Sequence, residues 1–374
     1  MNKLFIVVNQ DWFFLSHRLP IALEAKQAGY DVTIVSEDTG ASYKIREVGL
    51  KTVKLPINKA GTNLIDEMKT FIFLWNLFRK EKPDIVHLVG LKTMLWGSLA
   101  CRMAGIKRMV SAVCGLGMLF DEEHAQSAMS KAILKVFRLT HKGKNVKVIF
   151  QNEDDKQLFI QNKIVKEEQC AYTRGSGIDL DNYIYTPEPE DSLIRVIFTA
   201  RMVKDKGTMI LIEAAKILES EYRGKVKFWL CGRLDTNPTG ITREVLEAKC
   251  DGEYICWLGH RTDVLDLLKQ SHIMAFPSWY REGLPKSLIE ASAIGRPIVT
   301  CDSVGCRDAV IDGKTGFLVP VKDAQALADK LKYLFDHPEE RNRMGVASRQ
   351  FAENCFSIKE VVKIHLDIYK ELSL

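Results

Sequence analysis

The sequence has no long, uninterrupted apolar run. No window of about eighteen residues is both apolar and uncharged, which excludes a membrane-spanning helix of ordinary length. The most apolar stretch, residues 71–78, is flanked by Lys69, Arg79 and Lys80 and predicts a buried or surface-docked helix. The N-terminus runs straight into a strand without a small-residue cleavage site, so we expect no signal peptide and a cytoplasmic protein.

Ordered cysteine patterns and a strong charge of one sign are also missing. The nine cysteines form neither a CxxC motif nor a Cys/His cluster, which favours reduced core thiols over a zinc site or a disulfide frame. A net charge of +5 over 374 residues does not suggest nucleic-acid binding. Asp179 and Asp181 form a literal DxD triplet, but they lie in a predicted linker, and the acidic runs 121–123 and 153–155 are interpreted as solvated charge. We therefore expect no metal and no cofactor.

Glycine is missing from the first strand-to-helix connection. Residues 9–17 contain none, so the GxGxxG fingerprint that holds a dinucleotide in that turn cannot form. This absence excludes an ordinary dinucleotide-dependent oxidoreductase.

What is present is a globular composition with alternating strand and helix patterns. A chain of 374 residues, 46% hydrophobic and 27% charged, is too long for one ordinary core and suits two domains. Strands that alternate with helices predict parallel, doubly wound α/β sheets. The predicted strands are residues 3–9, 31–36, 85–89, 108–113 and 146–151, then 195–200, 225–231, 255–258, 272–276 and 297–301.

A change of character near residues 175–189, rich in glycine, proline and acids, predicts a linker. We expect an acceptor-side domain over residues 1–178 and a nucleotide-sugar-binding domain over 179–357, two Rossmann-like domains facing each other across a cleft. Residues 358–374 have helical periodicity and are predicted to cross back to the first domain.

Two cations follow a strand in the second half. Arg201 and Lys206 stand five positions apart just after the strand predicted over 195–200, where they can neutralise a diphosphate in place of a metal ion. The alternative is that Arg201 pairs with a nearby acid and that Lys206 is a solvated turn lysine.

Two carboxylates follow another strand. Pro285 suits the first position of a helix, so the backbone amides near Gly283 and Leu284 are expected to be free to bind a sugar hydroxyl or a phosphate. Glu282 and Glu290 would then be roughly 10 Å apart, too far for the acid pair of a retaining hydrolase at about 5 Å. One carboxylate suits a hexose and the other a ribose diol. The alternative is a helix cap at Glu282 and a surface residue at Glu290.

These segments resemble the donor-site motifs of the large retaining glycosyltransferase family four, built on the GT-B fold. The similarity is carried by RMVKDKG and REGLPKSLIEASAIGRPIVT and, over residues 146–350, by FQNEDD, GSGID, CGRLDTNP, WLGHRTDV and GCRDAVIDGKTGFLVP. One departure is Ala200, where the family often has glycine.

The resemblance implies a role for each matching residue. Arg201 and Lys206 would bind the diphosphate and stabilise the leaving nucleotide, Glu282 would contact the donor sugar, and Glu290 the ribose. The other implied donor-binding residues are Gly283, Leu284, Pro285, Gly232, Arg233 and, near the base, Arg261.

The first half resembles a subgroup that acts on lipid-linked glycans carried on undecaprenyl diphosphate. The segments WFFLSHRLPIA and VCGLGMLF carry this similarity, which implies an acceptor side with His17, Arg18, Gly115 and Gly117. Alternatively, His17 packs on its own loop and the glycines make an ordinary turn. The double-glycine loop that many members place after the first strand is absent, and we expect His87 in the core.

A basic segment lies between the quoted segments VCGLGMLF and FQNEDD. Residues 127–147 carry no acid, and their cations alternate with apolar residues, so a helix there either lies on an anionic membrane or packs its apolar face on the domain. The cations are Lys131, Lys135, Arg138, Lys142, Lys144 and Lys147.

Together these features predict a metal-independent, retaining hexosyltransferase. It would move a hexose or an N-acetylhexosamine from a nucleotide diphosphate sugar, with UDP favoured, to a lipid-linked glycan on the inner face of the cytoplasmic membrane. A nucleotide-sugar 2-epimerase of the same fold and a non-enzymatic sugar-nucleotide-binding subunit are the alternatives.

Overall fold

The computed structural model describes residues 1–57, 63–120, 126–235 and 239–374. The chain forms two compact units: the first unit comprises residues 1–177 and 358–374, and the second unit comprises residues 178–357. The acidic run predicted at 121–123 lies outside the described residues.

The first unit is built on a seven-stranded parallel sheet with the strand order β3-β2-β1-β4-β5-β6-β7. All five residues of β4 are buried, as expected for a parallel strand that is covered on both faces. The strands are β1 (Lys3–Gln10), β2 (Asp31–Glu37), β3 (Lys51–Lys54), β4 (Ile85–Val89), β5 (Arg108–Ala112), β6 (Val146–Phe150) and β7 (Cys170–Tyr172).

Helices cover both faces of this sheet. Alternate residues of β1 enter two different apolar clusters, one shared with α4 to α7 and the other with α2 and α14. The chain's last helix therefore packs on the first unit. The helices are α1 (Asp11–His17), α2 (Leu19–Gln27), α3 (Ser42–Glu47), α4 (Leu64–Glu81), α5 (Leu91–Met103), α6 (Ala128–Thr140), α7 (Glu153–Gln161) and α14 (Ile358–Ser373).

The strand-to-helix connection after β1, for which the sequence predicted a loop without regular structure, contains the short helix α1. Its first residue, Asp11, is fully buried and accepts hydrogen bonds from the backbone amides of Thr39 at 3.0 Å and Ala41 at 2.9 Å. Burial alone would raise the pKa of Asp11, but these bonds and that of the Thr39 hydroxyl lower it overall. Phe14, three residues further along on the same face of α1, is buried in the core.

The second unit repeats the same topology in a six-stranded parallel sheet, ordered β10-β9-β8-β11-β12-β13. Its strands are β8 (Ile194–Thr199), β9 (Val226–Cys231), β10 (Ile255–Gly259), β11 (Ile273–Phe276), β12 (Ile298–Cys301) and β13 (Gly316–Val319). Its helices are α8 (Thr208–Tyr222), α9 (Arg243–Lys249), α10 (Val264–Gln270), α11 (Lys286–Ile294), α12 (Ala324–Asp336) and α13 (Pro338–Cys355). Both units thus confirm the predicted Rossmann-like, doubly wound α/β architecture.

Strand order fixes where each unit can bind a ligand. Chain connections leave in opposite directions from β1 and β4 in the first unit, and from β8 and β11 in the second. A crevice opens at such a switch point, outside the carboxyl ends of the strands. The segments that follow β8 and β11 carry Arg201, Lys206 and Glu282, so the predicted donor residues lie at this point of the second sheet.

Candidate functional site

Lys206 and Glu282 meet at the switch point of the second unit. The Lys206 ammonium forms an ion pair with the Glu282 carboxylate, and both side chains are nearly buried, 14% and 11% exposed. The Ser278 hydroxyl also donates to Glu282 Oε1 at 3.4 Å. Lys206 is therefore not the solvated turn lysine of the alternative interpretation.

A glycine lets the two segments approach. Gly207 follows Lys206 with a φ of 83°, and a Cβ there would lie 2.0 Å from the carbonyl oxygen of Pro277. The Asp205 carbonyl also accepts hydrogen bonds from the amides of Trp279 and Tyr280, each at 3.1 Å. The backbone after β8 is therefore joined to the backbone after β11, and this junction sets the position of Lys206.

Arg201 pairs with a nearby acid, as the alternative interpretation anticipated, although the sequence did not single out which one. Its Nη1 donates to Asp235 Oδ2 at 2.6 Å. The segments after β8 and β9 run side by side, because the Met202 amide donates to the Arg233 carbonyl at 2.9 Å. A Cβ at Gly232 would lie 1.6 Å from the Ala200 carbonyl oxygen. The close approach of these two segments therefore requires a glycine at this predicted donor-site position.

Glu290 is not the surface residue of the alternative interpretation. Its side chain is 15% exposed, accepts from the Tyr183 hydroxyl at 3.0 Å and lies 3.8 Å from Lys286 Nζ. Burial raises the pKa of Glu290, while Lys286 and the Tyr183 bond lower it. Tyr183 sits near the start of the second unit, too far along the chain for the sequence to connect it with Glu290.

The segment between these two carboxylates departs slightly from expectation. Pro285 is the residue before α11, with φ −62° and ψ 124°, so the helix begins at Lys286 and Pro285 is not its first residue. Leu284 packs its side chain into an apolar cluster with Ile289. A Cβ at Gly305 would lie 2.4 Å from the Gly283 carbonyl oxygen, so the segment around Gly305 packs closely against this turn.

Arg233, a predicted donor-binding residue, and Arg261, which was predicted near the base, lie after β9 and β10. Arg233 lines an open groove of about 720 Å³ together with Trp257 and His260. The Trp257 indole donates to the Gly232 carbonyl at 3.1 Å. Arg261 is exposed and pairs with Asp263, Nε to Oδ1 at 2.7 Å, within its own loop. Trp257 begins the quoted segment WLGHRTDV but was assigned no role, because its place in the groove depends on the pairing of β9 with β10.

The acceptor-side residues come together in part at the edge of the first sheet. Arg18 is 2% exposed, and its Nη2 donates to Cys114 Sγ at 3.0 Å, next to the turn of Gly115 and Gly117. Both glycines have positive φ, 98° and 61°. His17 stacks on Phe13 with ring centroids 4.3 Å apart, which is the packing that the alternative interpretation anticipated.

His87 lies in the core, as expected. It is fully buried in β4, and its Nδ1 is 2.6 Å from the Tyr369 hydroxyl of α14. The neighbouring ring of His365 lies 5.4 Å away between centroids. Burial holds the pKa of His87 well below its usual value and that of His365 at about 3, so both rings are neutral.

No group of three or more His, Cys, Asp or Glu residues within the described ranges is arranged to hold a metal ion. The DxD triplet forms a local turn, in which Asp179 Oδ1 accepts from the Asp181 amide at 3.0 Å. None of the helices in those ranges is long and apolar enough to cross a membrane.

Comparison with known proteins gives two matching family models. Residues 3–152 match the family described as glycosyl transferase 4-like, and residues 194–337 match glycosyl transferases group 1. The 2-epimerase alternative finds no support in these comparisons.

Two curated relatives align with nearly the whole chain. The N,N'-diacetylbacillosaminyl-diphospho-undecaprenol alpha-1,3-N-acetylgalactosaminyltransferase of Campylobacter jejuni is 27% identical, covering 92% of this chain and 95% of the relative. The UDP-Gal:alpha-D-GlcNAc-diphosphoundecaprenol alpha-1,3-galactosyltransferase of Escherichia coli is 25% identical, covering 92% and 89%.

The fold has solved counterparts. Anabaena HepE, determined in complex with UDP and glucose, superposes with a TM-score of 0.77 at 16% identity and covers all of both chains. With glycosyltransferase models matching both units and this shared architecture, the chain belongs to glycosyltransferase family four and is a transferase of the GT-B fold.

Proposed function

We propose that this glycosyltransferase moves a hexose or an N-acetylhexosamine from a UDP-sugar to a hydroxyl of a glycan carried on undecaprenyl diphosphate. The observation that carries the donor side is that Arg201 and the paired Lys206 and Glu282 lie in the segments that follow β8 and β11, at the switch point of the second sheet. The acceptor class is supported by the names of the Campylobacter jejuni and Escherichia coli relatives, and the base by the second of these and by HepE.

In this proposal the two cations supply the main catalytic effect. Arg201 and Lys206 bind the diphosphate and stabilise the negative charge that develops as the bond between the anomeric carbon and the phosphate oxygen breaks. Glu282, already held by Lys206 and Ser278, contacts the donor sugar. The acceptor oxygen bonds to the anomeric carbon on the same face, and its proton passes to the leaving phosphate, so configuration is retained.

The remaining donor contacts follow from the same placement. Glu290, buried on α11, accepts from the ribose hydroxyls, and the turn of Gly283, Leu284 and Pro285 approaches the sugar and phosphates. The groove beside Gly232 and Arg233 receives the uracil, and Arg261 follows His260, which lines this groove. Trp257 also lines it and offers an aromatic ring, which the Arg243 guanidinium faces at 5.1 Å from the ring centroid.

The acceptor side is assigned to the first unit. Arg18, fixed against Cys114, and the positive-φ turn of Gly115 and Gly117 stand at the carboxyl edge of its sheet, where a parallel sheet binds ligands. His17 lies beside them at the end of α1 and completes the set.

We further propose that α6 makes a peripheral contact with the inner face of the cytoplasmic membrane. Its apolar residues Ile133 and Phe137 are buried in the core, so only the opposite face is available. That face carries Lys131, Lys135 and the 61%-exposed Leu139, and cations of this kind attract anionic lipids. Replacing Lys131 and Lys135 by glutamine should reduce binding to phosphatidylglycerol vesicles in a sedimentation assay. If the variant binds the vesicles as well as the wild type does, α6 is not the membrane contact.

The donor is tested with a panel of UDP- and GDP-sugars. A ligand that binds only the native state raises its unfolding temperature, so UDP-sugars should stabilise the protein and GDP-sugars should not. Transfer is then assayed with the stabilising donors and a synthetic undecaprenyl-diphosphate-linked sugar, read as a mass increase of one sugar on the lipid. If only GDP-sugars stabilise the protein, the prediction of a uracil base is wrong. Epimerisation of the donor sugar at C2 in the absence of acceptor would instead indicate the epimerase.

Metal independence is tested in the same assay. Since Arg201 and Lys206 take the place of a metal ion at the diphosphate, transfer should continue at an unchanged rate in excess EDTA. A rate that falls with EDTA and returns with Mg²⁺ or Mn²⁺ would refute this part of the mechanism.

A further inference from the structure

Asp235 is a carboxylate at the predicted diphosphate site that the proposed reaction does not use. Its side chain is 12% exposed, and the Arg201 side chain that it binds is 26% exposed. The pair is therefore more enclosed than a typical surface ion pair, in which solvent screens most of the attraction.

The backbone places Asp235 where it is. The segments after β8 and β9 are joined on both sides of Arg201, by the Ala200 amide to the Cys231 carbonyl at 3.1 Å and by the Met202 amide to the Arg233 carbonyl at 2.9 Å. Asp235 is two residues after Arg233 in the sequence. Its carboxylate therefore faces Arg201 as a consequence of strand pairing.

Each cation of the site thus has its own carboxylate. Lys206 pairs with Glu282, which has a second task on the donor sugar, and Arg201 pairs with Asp235, which has none in the proposed reaction. The diphosphate of a bound nucleotide must share Arg201 with that carboxylate, and two anions on one guanidinium repel each other.

Resting on the proposed function, we infer that Asp235 is an internal counter-anion of the diphosphate site. It occupies Arg201 between turnovers and competes with the nucleotide for this cation. The negative charge of Asp235 thereby weakens retention of the UDP product and promotes its release.

The substitution Asp235→Asn isolates this effect. An asparagine has the same shape and its amide oxygen still accepts from Arg201 Nη1, so the charge is removed while the hydrogen bond can be kept. The matched control is Asp336→Asn. Asp336 accepts from the Tyr222 hydroxyl at the C-terminal end of α8, on the amino side of the same sheet and away from the switch point.

The test measures UDP affinity of the wild type and both variants by titration calorimetry, and product inhibition by UDP during transfer. Asp235→Asn should bind UDP about threefold to tenfold more tightly, with a matching fall in the inhibition constant, and Asp336→Asn should equal the wild type. If the Asn variant does not fold, Asp235→Ser gives the same readout.

The outcomes separate the two proposals. Unchanged or weaker UDP binding by Asp235→Asn overturns the counter-anion role, and weaker binding would show that Asp235 instead orients Arg201 for the ligand. A wild type that binds neither UDP nor a UDP-sugar contradicts the proposed donor, independently of Asp235.

Discussion

The carboxyl edges of the two sheets share a topology but differ in how they hold their cations. At the second unit's edge, Arg201 and Lys206 each pair with a carboxylate from a neighbouring strand-end segment. At the first unit's edge, Arg18 is buried against a cysteine sulfur and a backbone carbonyl. One edge is therefore organised by compensated charge and the other by packing.

This difference matches the chemistry proposed for each edge. A diphosphate that leaves during reaction needs strong, preorganised cations, and such cations need counter-charges if the empty site is to be stable. A sugar hydroxyl on a lipid-linked acceptor needs positioning more than charge. The comparison predicts that variants at the two edges will separate into effects on nucleotide binding and effects on acceptor use.

The largest effect is expected at Lys206. Lys206→Ala should lower kcat/KM for transfer by about a thousandfold, because it removes a cation from the departing diphosphate. Lys204→Ala, an exposed lysine of the same turn, is the control and should be near normal. Circular dichroism should show both variants folded. If Lys206→Ala is folded and transfers at a near-normal rate, the assignment of the diphosphate site to this part of the second unit is wrong.

Arg18 tests the other edge. Arg18→Lys keeps the charge but loses the planar group that reaches both Cys114 and the His17 carbonyl, so transfer at low acceptor concentration should fall by about a hundredfold. UDP affinity, measured by calorimetry, should not change. A parallel loss of UDP binding would show that the two edges are not separate in function.

Much of this difference was invisible in the sequence. Strands buried on both faces were predicted closely, as β4 (Ile85–Val89) shows, because an apolar run bounded by polar residues is a local signal. Helix α1 was missed because it depends on bonds from Asp11 to residues about thirty positions along the chain. Asp235 and Trp257 stand in the quoted segments CGRLDTNP and WLGHRTDV but were assigned no role, because strand pairing, which no local pattern records, brings them to the site.

Acidity should separate the two units in stability. Among the described residues, the first unit has three buried histidines with lowered pKa values (His87, His141 and His365), whereas the second has one, His272. Burial is the main cause in each case, and the pKa of His141 and of His272 is about 4.

The sign follows from the unfolded state. A histidine whose pKa is near 6.5 when unfolded and about 4 when folded takes up its proton mainly on unfolding as the pH falls below 6.5, so acid favours unfolding. Between pH 7 and pH 5 each such residue should lower the free energy of unfolding by about 2 kcal/mol. Peptide-resolved hydrogen exchange should show the first unit losing more protection than the second, and His141→Gln should reduce that loss. Equal losses in both units would contradict the burial argument.

The smallest effect is expected at Glu290, where the comparison is sharpened within the second unit. Glu290→Gln should weaken UDP binding by about tenfold, because an amide accepts a ribose hydroxyl less strongly than a carboxylate does. The affinities of the wild type and of Glu290→Gln are measured for UDP and for 2′-deoxy-UDP, which lacks one of those hydroxyls, and compared as a double-mutant cycle. The loss of affinity caused by Glu290→Gln should be much smaller for 2′-deoxy-UDP. Tyr183→Phe is the control, since it removes a bond of 3.0 Å to Glu290 without changing the carboxylate. An equal penalty for both nucleotides would mean that Glu290 acts through Tyr183 and Lys286 on the packing of α11 and does not bind the ribose.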